Sequence, residues 1–66
     1  MASERLIRRP EVLKITGLSR SSLYERISEG AFPSPIRIGP NRVAWIASEV
    51  DQWVQDRIQE SRSDAA

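Results

Sequence analysis

Nine of the ten basic residues in this chain are arginine, and its 66 residues include no histidine and no cysteine. A guanidinium is a planar fork of donors that grips a phosphate or the edge of a guanine through two bonds, where a lysine offers a point charge. The missing residue types take with them the usual zinc, haem and iron–sulfur ligands, the commonest general base and the usual nucleophile pairs. Two carboxylate pairs remain, Glu49 with Asp51 and Glu25 with Glu29. A chain this small has no interior deep enough to desolvate them for acid–base work. No enzyme, cofactor or metal centre is expected.

The arginines are not spread evenly. Residues 1–44 hold eight basic side chains (Arg5, Arg8, Arg9, Lys14, Arg20, Arg26, Arg37, Arg42) and four acidic ones, a net of 8 − 4 = +4. Residues 45–66 hold Arg57 and Arg62 against Glu49, Asp51, Asp56, Glu60 and Asp64, a net of 2 − 5 = −3. One end of the molecule is suited to a polyanion and the other repels it, behind a total charge of only +1. Solvated surface arginine in an ordinary domain is the alternative that charge alone leaves open.

The elements that must position these side chains follow from local signals. Pro10 suits the first turn of a helix, where its missing N–H costs nothing, and Gly17 is an expected left-handed stop, so a first helix runs over residues 10–16. Val12, Leu13 and Ile15 are its apolar side. Ser19 caps a second helix over residues 20–29 that stops at Gly30. At about 100° per residue, Leu23 and Ile27 share one face while Ser21, Glu25 and Ser28 lie opposite, with Arg20, Ser22, Tyr24 and Arg26 on the flanks. Two short helices joined by a glycine turn make a helix-turn-helix, a motif also met in small bundles with no ligand.

Residues 30–35, with one glycine and two prolines, read as a loop with Phe32 as a core plug. Ile36, Ile38, Val43 and Trp45 then alternate with Arg37, Arg42 and Ala44 around Gly39-Pro40-Asn41. The expected result is a hairpin with one face buried and both arginines on the other. Ser48, with Asp51 three residues on, is placed to cap a last helix whose buried side is Val50, Trp53, Val54 and Ile58. Residues 61–66 are small and polar and are expected to fray. The chain reads as one mainly α domain with a small β-hairpin, ordered over about residues 6–60. It holds no apolar run of the roughly 18 residues a membrane span needs and no signal peptide, so a cytoplasmic location is expected.

These residues resemble the AlpA family of prophage transcriptional regulators, small winged helix-turn-helix proteins related in fold to MerR and excisionase DNA-binding domains. The stretches that carry the resemblance are Arg9-Pro10-Glu11-Val12, Thr16-Gly17-Leu18-Ser19-Arg20-Ser21-Ser22-Leu23-Tyr24, Gly30-Ala31-Phe32-Pro33-Ser34-Pro35 with Ile36-Arg37-Ile38-Gly39, and Trp45 followed by Ser48-Glu49-Val50 and Trp53. They cover about residues 6–58 in the family's order. The resemblance implies that the second helix is a recognition helix in a major groove, offering Ser19, Arg20, Ser21, Ser22, Tyr24 and Arg26, with a wing beside it offering Arg37 and Arg42. It departs at Glu25, where the family often has a basic residue. A carboxylate there repels phosphate; it can accept from cytosine N4 or pair with Arg26 and read nothing.

The expected function is therefore that of a sequence-specific, double-stranded-DNA-binding regulator of transcription from a bacterial prophage or other mobile element, near the nucleoid. Arg20, Arg37 and Arg42 are assigned mainly to phosphates and Ser21, Ser22 and Glu25 to base edges. Tyr24 either packs beside Leu23 and Ile27 or reaches a phosphate through its hydroxyl. One helix covers few base pairs, so a homodimer or tandem copies on DNA are implied. The alternatives are an excisionase-like factor that bends attachment-site DNA with an integrase as partner, and a protein-interaction adaptor that uses the acidic last helix and an exposed Trp53.

Overall fold

The computed structural model describes residues 4–65, with side chains described for 4–63. In chain order the elements are β1 (Leu6–Ile7), α1 (Arg9–Thr16), α2 (Arg20–Ser28), β2 (Ile36–Gly39), β3 (Arg42–Ile46) and α3 (Ala47–Ala65). The strands form one antiparallel sheet in the order β1-β3-β2. The fold is a winged helix-turn-helix, mainly helical, and the expected hairpin is enlarged by β1, a strand too short to show a period in sequence.

Local chemistry sets the helix ends. Gly17 adopts φ +74° and its amide donates to the Leu13 carbonyl at 2.8 Å. This closes α1 as a left-handed cap does. Gly30 at φ +75° closes α2 in the same way, with the Ala31 amide reaching back to the Arg26 carbonyl at 2.8 Å. The inner face of the sheet carries Ile7 and Trp45, which meet Val12 of α1, Leu23 of α2, Phe32 of the loop, and Ala47 and Val50 of α3 in a single core. Trp45 is wholly buried, and its indole Nε1–H donates to the Pro33 carbonyl at 3.0 Å. Trp53 is half-buried. Its Nε1–H donates to the Ala31 carbonyl at 2.8 Å, and its ring meets Phe32 edge-on at 4.9 Å. The two tryptophans thus tie down the loop that links α2 to the ribbon at Ala31 and Pro33.

Three expectations are corrected. Ser48 does not cap α3. The helix begins one residue earlier, directly off β3, because the Ala47 amide finds the Arg5 carbonyl at 2.7 Å beside the short strand; Ser48, freed from capping, donates to the Glu4 carboxylate at 2.7 Å. Ile15 is not on a buried side of α1, being 38% exposed. The third correction concerns the ribbon. Ile36 pairs with Ala44 and Arg37 with Val43, but Gly39 pairs with Arg42, so Ile38 is the extra residue of a β-bulge. Directly opposed residues share a face, so Ile36 lies on the outer face with Ala44, and Arg37 on the inner face with Val43. Ile36 and Ile38 are 39% and 44% exposed, and the ribbon has no continuous buried row. The helical geometry of α3 runs on through the stretch expected to fray, as far as Ala65; Ala66 lies outside the described residues.

Candidate nucleic-acid interface

The turn between α1 and α2 is built by its own side chains. Thr16 Oγ1 donates to the Val12 carbonyl at 2.8 Å and accepts from the Leu18 amide at 3.2 Å, which turns the chain sharply enough for half-buried Leu18 to pack on the core. Ser19 then takes extended backbone angles, and its Oγ accepts from the Ser22 amide at 3.1 Å. That is the bond an N-cap side chain makes. The Ser19 hydroxyl also donates to Ser22 Oγ at 3.0 Å. Among the described residues, the amides of Arg20 and Ser21 make no hydrogen bond. The positive end of the helix dipole is therefore open to an anion beside the Arg20 guanidinium. These two backbone donors are the part of the site that residue types do not show; the Ser19 cap is the signal that locates them.

Of the side chains expected on this helix, Arg20, Ser21, Glu25 and Arg26 are exposed, and Tyr24 is 38% exposed. Ser22 is half-buried and its hydroxyl oxygen is taken up by Ser19, so it serves the cap. Glu25 makes no ion pair among the described residues; the pairing with Arg26 is not formed. On the ribbon, Arg37 and Arg42 are both exposed but on opposite faces. Arg37 stands on the side where the helices pack, and Arg42 on the outer side, its aliphatic stem 3.8 Å from where a Cβ on Gly39 would sit. Asn41 at φ +57° makes the turn ahead of Arg42.

The electrostatic state of these arginines is the informative feature. Among the described residues the chain forms two ion pairs, Arg5 with Glu11 at 3.3 Å and Arg57 with Glu60, and neither involves α2 or the ribbon. Within the same residues Arg20, Arg26, Arg37 and Arg42 all stand without a carboxylate partner. No group of His, Cys, Asp or Glu among the described residues is arranged to hold a metal, and none of their helices is long and apolar enough to cross a membrane. Trp53, the residue the adaptor alternative would use, is half-buried, with its indole N–H on the Ala31 carbonyl.

A helix-turn-helix with a two-stranded wing, bearing unpaired arginines on both parts, defines the class of winged helix-turn-helix domains. The family model described as "Prophage CP4-57 regulatory protein (AlpA)" matches residues 5–58, and the chain belongs to that family. It is similar to the uncharacterized protein ORF88 of Enterobacteria phage P4, at 47% identity over 58 residues, covering 88% of this chain and 66% of that protein. It is also similar to the DNA-binding transcriptional activator AlpA of Escherichia coli (strain K12), at 30% identity over 59 residues, covering 80% of this chain and 84% of the relative.

Proposed function

We propose that this chain is a sequence-specific DNA-binding regulator of transcription from a prophage or related mobile element, acting as a single domain in the bacterial cytoplasm. The observation that carries the proposal is the set of four exposed arginines that α2 and the ribbon bring together, none of them in an ion pair among the described residues. The similarity to an activator described as DNA-binding supports it. In this reading α2 enters the major groove, where exposed Ser21 and Glu25 face base edges. The open amides and Arg20 hold a phosphate, and Arg26 serves either role. Arg37 and Arg42, on opposite faces of the ribbon, hold the backbone from two sides. Tyr24 adds its hydroxyl at the flank.

Binding should weaken steeply with salt: about three to five phosphate contacts correspond to a log–log slope of roughly −3 to −4.5. Titration of a DNA duplex at several salt concentrations measures it, and a slope near zero would remove DNA from the account. Arg42→Ala should weaken all sequences alike and lower the slope by about one unit, whereas Ser21→Ala should change base preference. A promoter-reporter assay beside an excision assay with the element's integrase separates a regulator from an excisionase-like factor that bends DNA.

A further inference from the structure

Leu23 is wholly buried and fixes which way α2 faces. At about 100° per residue, Ser21 and Glu25 each stand about 160° round the helix from it, one on either side of the outward pole. Arg20 and Arg26 leave the helix only about 60° to either side of Leu23, so the cations flank the helix and the carboxylate stands at its crest. Among the described residues the Glu25 carboxylate forms no ion pair. Its neighbours one turn on do not satisfy it. The Ser28 hydroxyl donates to the Glu25 backbone carbonyl at 2.8 Å, and Glu29 is a second carboxylate. A carboxylate accepts and does not donate, so Glu25 reaches a binding partner with its acceptor capacity intact.

With α2 in a major groove, the reading on which this inference rests, phosphates, guanine N7 and O6 and thymine O4 all repel that carboxylate. The donors in the groove are the exocyclic amines of adenine and cytosine. Adenine sets its N7 acceptor beside the amine, whereas cytosine has only a C–H there. We propose that Glu25 reads one cytosine through its N4 amine, and that a methyl group on that nitrogen blocks the reading. Within a G·C pair one N4 hydrogen is held by guanine O6 and the other faces the major groove. N4-methylcytosine keeps its pairing and presents a methyl group where the carboxylate needs a hydrogen. Methylation at C5 leaves that hydrogen in place. The chain thus distinguishes two methylated forms of the same base pair, and methylation of its site at N4 is a means of releasing it.

Selection from a pool of random DNA duplexes, run with the full chain and with its Glu25→Gln and Glu25→Ala variants, tests this. The wild-type chain should enrich a site with one cytosine that Glu25→Gln converts to adenine, because a glutamine amide pairs with adenine N6 and N7. All other positions should stay the same, and Glu25→Ala should accept any base pair at that one. With N4-methylcytosine placed there, the wild-type chain should bind the site about ten-fold more weakly, the scale of one base-edge contact. It should tolerate 5-methylcytosine, and Glu25→Ala should bind all three forms alike. One site enriched unchanged by all three chains, or a loss on N4 methylation that Glu25→Ala shares, overturns the role of Glu25 and leaves the DNA reading standing. A wild-type chain that enriches no sequence overturns both.

Discussion

Leu6 and Ile7 are chain neighbours of nearly equal hydrophobicity, and they pair with adjacent residues of β3, yet Ile7 is 2% exposed and Leu6 47%. The inner face of the sheet, with Ile7 and Trp45, is roofed by helices; on the outer face Leu6 and Ile36 stand 47% and 39% exposed, while Ala44 is buried and Ile46 half-buried. The described helices cover the inner side of the sheet more fully than the outer. The other side stays apolar, which suits a surface meant for another molecule better than one meant for water.

The comparison can be broken by substitution on each face. Trp45→Ala removes the largest buried side chain of the inner face together with its bond to Pro33, and should cost about 3–5 kcal/mol. A domain this small has little more stability than that, so much of the population should be unfolded in a circular dichroism melt. Ser19→Ala, at the cap of α2, should cost about 1 kcal/mol, and the same melt resolves it. On the outer face Leu6→Ser should shift stability by no more than about 0.5 kcal/mol, as at ordinary surface sites. A loss as large as that of a core residue would show that the outer face is also part of the core. Arg20→Ala should be similarly small in the melt, within about 0.5 kcal/mol, while DNA affinity falls; a matching loss of fold would make Arg20 structural.

The helix-turn-helix was legible in the sequence because its determinants are local. Pro10, Gly17, Ser19 and Gly30 act on backbone groups within a few residues of themselves, and each stands at or near the helix end it was expected to mark. The start of α3 was not legible in this way. Its first amide is satisfied by Arg5, far away in the chain, and a local capping pattern at Ser48 carries no information about that partner. Within the candidate site, the arginines were visible from composition, whereas the engagement of Ser22 in the cap depends on the position of one hydroxyl.

By itself, then, the sequence determined the ends of α1 and α2, the core residues Val12, Leu23, Phe32, Trp45 and Val50, and the division of charge between the two halves. Only the tertiary structure decided the faces of the ribbon. Strand side chains alternate with a period of two, so one extra residue at Ile38 reverses the parity of everything beyond it, and whether that residue is accommodated depends on the pairing of β2 with β3. Arg37 and Arg42, expected side by side, are consequently held on opposite faces.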